Sequence, residues 1–339
     1  MVPMRPGRRL ALPGCVLAVL ASPTLTGCGL LDTGSDVDEA FEYLPADTFQ
    51  VLFTEGGVAD DLDTSELGRY AQVMEDAPFN DGDIEWEAQA AWGDPGDAER
   101  TAAVWKVDDD TDLDALAEDL EAQGYDKDTV DGRSFFSVEL SAAEDGAIGG
   151  TYPVPLLLNV LIDEDEQVVA GASDIGPLED VAAVISDDDD SLADDDGFDD
   201  LLDAADDDPD IAWLTSDGFA VCVSTDRSLR VDRRDDYEDL GRPEARALFV
   251  SGDDADVRLA LQYDSEDAAT DDLEARETLV DDGVDPVTRE PFDDLGDFEL
   301  EQDGDLLLID EDFDGGARAA IQAERKGGGP GVCGPEIAD

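Results

Sequence analysis

The chain lacks histidine entirely, and only three of its 20 basic residues are lysine. Histidine is the usual general base in enzymes and the commonest metal ligand, so catalytic sites and zinc sites that depend on it are excluded. Carboxylate pairs, Ser-Lys pairs and metals bound through oxygen remain open. None of these forms a recognisable catalytic motif in the sequence, and we therefore expect no enzymatic activity.

Basic charge is scarce and acidic charge is abundant, because 91 Asp and Glu residues leave a formal net charge of −71. The acids are spread along the whole chain, whereas a polyanionic calcium buffer would concentrate them in one tail. Molar salt shortens the Debye length to about 3 Å, which screens repulsion between surface carboxylates. The composition therefore predicts a protein of an extreme halophile, without the basic footprint that nucleic acid requires. We interpret the Asp runs at 187–190, 194–196 and 206–208 as solvated surface that binds Ca²⁺ or other cations only weakly, and we expect no cofactor.

Long apolar runs are also scarce, and the longest near the start is a stretch of 12 mostly apolar residues, Leu10–Ala21. A membrane-spanning helix needs about 20 residues, so this stretch has the length of a signal-peptide core instead. Arg8 and Arg9 precede it, and the sequence Leu25-Thr26-Gly27-Cys28 follows it.

The sequence Leu25-Thr26-Gly27-Cys28 resembles a bacterial or archaeal lipobox. The resemblance implies removal of residues 1–27 as a signal peptide, attachment of lipid to the Cys28 thiol, and anchoring at the extracytoplasmic face of the cell membrane. Arg8-Arg9 resembles a twin-arginine export signal, which implies export of an already folded chain. The alternative is an ordinary secretory signal in which Cys28 is incidental.

Two cysteines remain beyond Cys28, and an exported protein meets an oxidising compartment. Cys222 and Cys333 could form a disulfide that ties the glycine-rich end of the chain to the second half of the fold. They could equally be two thiols, with Cys222 as a small core residue in a strand at 219–223. Both alternatives stay open at this point.

Alternating apolar residues predict hairpins at 84–92 with 102–107, at 245–251 with 257–263, and at 297–301 with 305–309. Helical spacing follows at 113–120 and at 267–280. A hairpin, a helix and further strands thus occur twice. This order predicts an α+β fold of two related halves, each an antiparallel sheet with helices packed on one face. Two unrelated α+β domains are the alternative.

The predicted organisation places a lipid-anchored tether before the two halves and a flexible tail after them. The segments are the signal peptide at 1–27, the tether at 28–43, the first half at 44–190, the second half at 191–326 and the tail at 327–339.

Two short motifs carry a further resemblance. Pro45-Ala46-Asp47 leads into the first predicted strand, and Ser191-Leu192-Ala193-Asp194 with Phe198 follows a mid-chain helix. The chain resembles a family of uncharacterised extracytoplasmic proteins of bacteria and archaea that share these motifs. The resemblance implies a surface lipoprotein and assigns no catalytic residue.

A candidate metal site lies near the end of the chain, where Asp310, Asp312 and Asp314 are followed by a glycine. This spacing matches the first half of an EF-hand loop, whose carboxylates suit Ca²⁺. The twelfth position, normally a bidentate Glu, is Ile321. The alternative is that the three acids follow a strand and precede the next helix without binding a metal.

Two other groups of residues could contact a ligand or partner. Arg227, Arg230, Arg233 and Arg234 could dock an anion or an acidic partner surface, or form an ion-paired connector between the halves. The tryptophans of the first hairpin could line a ligand groove, but they are in phase with apolar neighbours, which favours core packing. They are Trp86, Trp92 and Trp105.

From these features we expect a lipid-anchored surface protein that is a non-catalytic interaction or binding module, with an envelope protein as a possible partner. The alternatives are a solute-binding lipoprotein of a transporter and a hydrolase whose metal is held by Asp residues alone.

Overall fold

Alternation of apolar and polar residues produces several of the strands, as the sequence predicts. The computed structural model describes residues 35–57, 62, 64–75, 77–95, 100–130, 132–139, 152–153, 156–205, 208–228, 237–252 and 255–335. The strands are β1 (Thr48–Glu55), β2 (Ile84–Trp92), β3 (Arg100–Val107), β4 (Asp126–Val130), β5 (Arg133–Ser137), β6 (Asn159–Asp163), β7 (Val168–Ala172), β8 (Ile211–Thr215), β9 (Ala245–Ser251), β10 (Asp256–Gln262), β11 (Gly296–Asp303) and β12 (Leu306–Phe313).

The helices connect these strands and pack on them. They are α1 (Asp36–Phe41), α2 (Ala71–Met74), α3 (Leu113–Gln123), α4 (Ile175–Ile185), α5 (Asp199–Leu202), α6 (Gly218–Ser228), α7 (Glu266–Asp282) and α8 (Ala317–Arg325). The predicted helix at 113–120 begins where expected, because Asp112 accepts a hydrogen bond from the Ala115 N–H. It ends at Gly124, whose φ of +99° suits glycine.

The fold is a mixture of helices and strands, and the described strands form one continuous sheet. Its order is β11-β12-β10-β9-β8-β1-β2-β3-β7-β6-β5-β4, and every neighbouring pair is antiparallel. The three predicted hairpins are confirmed. The prediction of a separate sheet in each half is wrong, because β1 pairs with β8 and joins the halves. This pairing satisfies backbone groups that two separate sheets would leave at exposed edges.

The two predicted halves nevertheless share an order of elements. In the first, β1, β2 and β3 form a meander, α3 follows, and β7 returns beside β3. In the second, β8, β9 and β10 form a meander, α7 follows, and β12 returns beside β10. After its helix, the first half adds four strands, β4 to β7, whereas the second half adds two, β11 and β12.

Helices cover both faces of the sheet, so the prediction of helices on one face is wrong. We name the faces after two tryptophans. The Trp86 face packs against α1, α4 and α5, and the Trp213 face packs against α3, α7 and α8. Strands such as β6 and β7 are buried at every position, which requires a cover on each side.

The tryptophans of the first hairpin are core residues, as their phase with apolar neighbours predicts. Trp86, Trp92 and Trp105 are 1%, 2% and 0% exposed. Side chains this deeply buried pack mainly against the core, which confirms the prediction of core packing.

The two short sequence motifs lie side by side. Pro45 and Ser191 form an isolated antiparallel bridge, and the Leu192 N–H donates to the Leu44 carbonyl at 2.7 Å. The ring of Phe198 lies 5.7 Å from that of Phe41. The motifs thus act together in closing the Trp86 face.

The predicted tether is too long. Residues 36–43 belong to the folded core, because Val37, Ala40 and Phe41 of α1 are buried. The signal for this helix is Ser35, which forms a reciprocal capping box with Asp38.

The segment at 219–223 is helical, so the predicted strand there is wrong. Asp217 marks the start of α6, since its carboxylate accepts a hydrogen bond from the Ala220 N–H at 3.0 Å. The β-branched residues of this segment favoured a strand, but capping and packing decide the outcome.

Candidate functional site

Several predicted site residues lie outside the described residues. They are the export signal with Arg8 and Arg9, the lipobox with Leu25, Thr26, Gly27 and Cys28, and the docking arginines Arg230, Arg233 and Arg234. The side chain of Arg227 also lies outside the description, although its backbone belongs to α6.

The three acids of the EF-hand-like motif do not form a loop around a cation. Asp310 and Asp312 lie on the exposed side of β12, and Asp314 follows the strand. Asp310 pairs with Arg258 at 2.7 Å. An extended strand cannot wrap its side chains around one ion, and the described residues contain no group of three or more His, Cys, Asp or Glu that could hold a metal. The metal prediction at Asp310, Asp312 and Asp314 is therefore wrong.

The structure contains the disulfide between Cys222 and Cys333. It connects α6 to the segment 327–334, which is buried. The prediction of a flexible tail is thus wrong for these residues. Arg242 donates to the Gly334 carbonyl at 2.7 Å, and the Cys333 N–H donates to Thr225 Oγ1 at 3.3 Å.

A groove of about 480 Å³ crosses the Trp213 face between the part covered by α3 and the part covered by α7 and α8. Its floor follows one row of directly paired residues across five strands. In order, the row is Trp213 on β8, Leu52 on β1, Gln89 on β2, Ala103 on β3 and Gly171 on β7. The side chains shrink along this row, so the groove deepens towards Gly171.

Glycine is required at position 171. A Cβ there would lie 2.8 Å from both the Leu156 carbonyl oxygen and Leu157 Cδ2, and 3.0 Å from Trp105. These atoms close the deep end of the groove.

A buried carboxylate holds one wall of the groove. Glu87 is almost fully buried, and it accepts hydrogen bonds from Ser65 Oγ, the backbone N–H groups of Glu66 and Leu67, Gln89 Nε2 and Trp105 Nε1. Three of these hydrogen bonds come from residues 65–67, so they fix this segment against the sheet.

The opposite side of the groove is held by Trp213. The guanidinium of Arg246 lies over its ring, 4.8 Å from the ring centroid. Arg246 is itself buried and pairs with the buried Glu324 at 3.1 Å. The Gly331 N–H donates to Glu324 at 3.2 Å, which links the position of Trp213 to the buried segment 327–334.

Among the described residues, the groove lining carries little charge, although a third of the chain's residues are charged. The described lining has 15 residues, of which only Glu66 and Arg325 are charged, and Glu66 pairs with Arg69 at 2.5 Å. The polar lining consists of amides and hydroxyls from Gln50, Gln89, Thr101 and Ser173.

Sequence reasoning missed this groove. Trp213, Gln50, Gln89 and Gly171 belong to no recognisable motif. A weak signal exists, because Gln50 and Gln89 are amides within strands of a chain whose polar residues are mostly acids. That signal does not show that β1 and β2 place them beside Trp213.

No family model matches the chain, and no curated protein matches it. Solved structures similar to it include crystal forms I, III and IV of TP0453, with TM-scores of 0.46, 0.47 and 0.45. Identities are 9%, 10% and 10%; the matches cover 84%, 83% and 85% of this chain and 96%, 96% and 99% of the other. These similarities concern the fold alone.

Within the described part of the chain, no helix is both long and apolar enough to cross a membrane.

Proposed function

We propose that the protein is a lipid-anchored, extracytoplasmic binding module that holds a small uncharged organic ligand in the groove on the Trp213 face. The observation that carries the proposal is the groove lining. In a chain with a net charge of −71, the described lining of this groove has one acidic and one basic residue among mostly neutral ones, and its volume lies within the ordinary range of ligand sites, about 300–1,000 Å³.

A non-catalytic role is supported by the ionisable groups of the lining. Glu66 is paired with Arg69, and Arg325 is a guanidinium that stays protonated. General acid–base catalysis commonly uses a histidine or a pair of carboxylates. The described lining has a single carboxylate, that of Glu66, and no histidine or lysine.

A fixed receptor is favoured over a transporter-type protein whose two lobes close around a solute. One sheet runs beneath the whole groove, and hydrogen bonds between β1 and β8 join the two halves within that sheet. We also infer that the two halves are related, which their shared order of elements supports. The groove then crosses the junction between them.

Anchoring is tested by the intact mass of the mature chain. The wild-type protein extracted from membranes should have the mass of a chain that begins at Cys28 and carries lipid. The Cys28→Ser variant should be released without lipid. A wild-type protein that is free of lipid and of the membrane would refute the anchoring.

Ligand binding is tested with a variant that obstructs the groove. Thr101 is exposed on β3 at the groove, so Thr101→Arg adds bulk and charge there without disturbing the core. Thr129→Arg on the edge strand β4 is the matched control, because this threonine is also exposed on a strand but lies outside the groove.

Each protein is purified in multimolar KCl, and the solutes that accompany it are extracted and identified by mass spectrometry. An uncharged solute should accompany wild type and Thr129→Arg in about equal amount to protein and be lost from Thr101→Arg. A charged solute, or one that Thr101→Arg retains, would contradict the proposal.

A further inference from the structure

We propose that the groove ligand is a neutral saccharide whose ring stacks on the indole of Trp213. This inference rests on the proposed binding function and adds the chemical class of the ligand. It depends on three properties of the groove, namely the tryptophan, the way the tryptophan is held, and the uncharged polar groups opposite it.

Trp213 differs from the other tryptophans in its exposure. Trp86, Trp92 and Trp105 are buried, whereas Trp213 is partly exposed and lines the groove. Arg246 covers one face of its ring, so the other face is the one that a ligand can reach. A flat apolar surface of this kind suits the C–H face of a sugar ring, which has few polar atoms.

The indole is held in place before a ligand arrives. Arg246 is buried and cannot move away, because Glu324 pairs with it and is itself bound by the Gly331 N–H. A platform that is already ordered loses little conformational entropy on binding.

The polar groups of the lining suit hydroxyls. Gln89 uses Nε2 to donate to the Thr64 carbonyl at 3.0 Å and to Glu87 at 2.7 Å, which leaves its Oε1 to accept a hydrogen bond from a ligand hydroxyl. Gln50, Thr101 and Ser173 offer further neutral donors and acceptors.

This polarity argues against an acyl chain as the ligand. An acyl chain would bury amides and hydroxyls without hydrogen-bond partners, which costs about 1–3 kcal/mol for each group. A sugar presents hydroxyls that both donate and accept, so the same groups stay satisfied. The described lining has one acidic and one basic residue and therefore no net charge, which favours a neutral sugar over an acidic or phosphorylated one.

The experiment is a screen of wild-type protein on an array of neutral glycans in multimolar KCl, with 1-decanol as an apolar probe measured separately by calorimetry. The glycan with the strongest signal is then titrated into wild type, Trp213→Leu, Trp213→Phe and Thr101→Arg. We expect the affinity to fall at least tenfold in Trp213→Leu, to fall less in Trp213→Phe, and to be lost in Thr101→Arg. Acrylamide quenching of wild-type fluorescence should decrease when the glycan is bound, because Trp213 is the partly exposed tryptophan.

Urea unfolding of Trp213→Leu shows whether the variant is folded, and retained affinity in Trp213→Phe separates stacking from a loss of structure. A silent glycan array would overturn the saccharide proposal, as would glycan binding that is unchanged in Trp213→Leu. If 1-decanol binds wild type but not Thr101→Arg while no glycan binds, the groove is a binding site and only the ligand class is wrong. If neither probe binds wild type and no uncharged solute accompanies the purified protein, both proposals fail.

Discussion

At the scale of single residues, some of the few basic side chains neutralise carboxylates in the interior of the described structure. Three arginines make such pairs: Arg133 with Asp163, Arg246 with Glu324, and Arg276 with Asp272. Loss of one member would leave an uncompensated buried charge, which is strongly destabilising. Arg276 also donates to the Val332 carbonyl at 3.0 Å and thereby holds the segment 327–334.

Glu311 is the opposite case, a buried carboxyl whose two oxygens have no hydrogen-bond partner. Burial raises the pKa of Glu311 well above its ordinary value of 4.5, and the nearby Glu324 raises it further, while Arg246 lowers it. The folded protein therefore keeps this group protonated at a pH where the unfolded chain has lost the proton. Ionisation favours the unfolded state, so Glu311 makes the protein less stable as pH rises above 4.5 towards the folded pKa.

We predict that Glu311→Gln is more stable than wild type at pH 7 to 8, because the glutamine cannot ionise. The gain is about 1.4 kcal/mol for each pH unit between the two pKa values, up to the pH of the measurement. It should vanish near pH 4, where both states of the wild type are protonated. Urea unfolding across this pH range in concentrated KCl measures the difference.

Glu299→Gln is the control for this series, since Glu299 is exposed on the neighbouring strand β11. Its stability relative to wild type should change little between pH 4 and 8. A Glu311→Gln variant that is less stable than wild type at pH 8 would show that the carboxylate is ionised and favourable in the folded state.

At the scale of elements, the segment 327–334 behaves as part of the core although it lacks regular structure. The backbone N–H of Gly329 donates to the Asp285 carboxylate at 2.7 Å, and the disulfide joins Cys333 to α6 across 111 residues. Glycine is needed at 329, where φ is +72° and Glu324 leaves no space for a Cβ.

We predict that the double variant Cys222→Ser with Cys333→Ser folds but is less stable by about 2–5 kcal/mol, because a long covalent loop no longer restricts the unfolded chain. Hydrogen exchange should become faster in 327–335 and in α6 before other parts of the chain. Urea unfolding and exchange mass spectrometry measure the two effects.

A reducing agent should destabilise wild type by a similar amount and leave the double variant unchanged, which makes the variant its own control for side effects of the reagent. Loss of the disulfide in the reduced wild type is verified by mass. The prediction would be refuted if this reduced protein were as stable as the oxidised one.

Short local signals predicted many of these elements correctly. The N-cap at Asp112 and the glycine at 124 define α3, and alternation defines the hairpin of β2 and β3. Prediction failed at α6 and at 327–334. The disulfide joins them across 111 residues, and Asp285 and Arg242 bind the second segment from 44 and 92 residues away. A run rich in valine favours a strand by itself, and a run of glycines suggests mobility by itself.

At the scale of the whole molecule, we expect the surface charge to determine the salt concentration at which the fold is stable. The net charge of −71 opposes compaction, and the Debye length grows from about 3 Å in 1 M salt to about 10 Å in 0.1 M salt. Buried ion pairs such as Arg276 with Asp272 are screened much less than the surface is.

We predict that the thermal midpoint rises steeply between 0.1 M and 3 M KCl and that near-ultraviolet circular dichroism is lost at low salt. Sucrose at matched osmolality is the control, because it strengthens burial without screening charge. A protein that is equally stable in 0.1 M and 3 M KCl, or that sucrose stabilises as well as KCl does, would contradict a mainly electrostatic cause.

The amino-acid sequence by itself determined the strands, most helices and the acidic surface, because alternation, caps and charge act between near neighbours. It also predicted that the tryptophans of the first hairpin are core. Alternation along a strand shows which residues share a face, but it does not show which other strand lies beside that face.

Only the tertiary structure decided that β1 pairs with β8 and that one sheet carries both halves. That pairing places Leu52 beside Trp213, which is 161 residues later in the chain, and it creates the row that becomes the groove. The physical reason is that strand register is set by cross-strand packing and by the burial of both faces, and these act between segments that are distant in sequence.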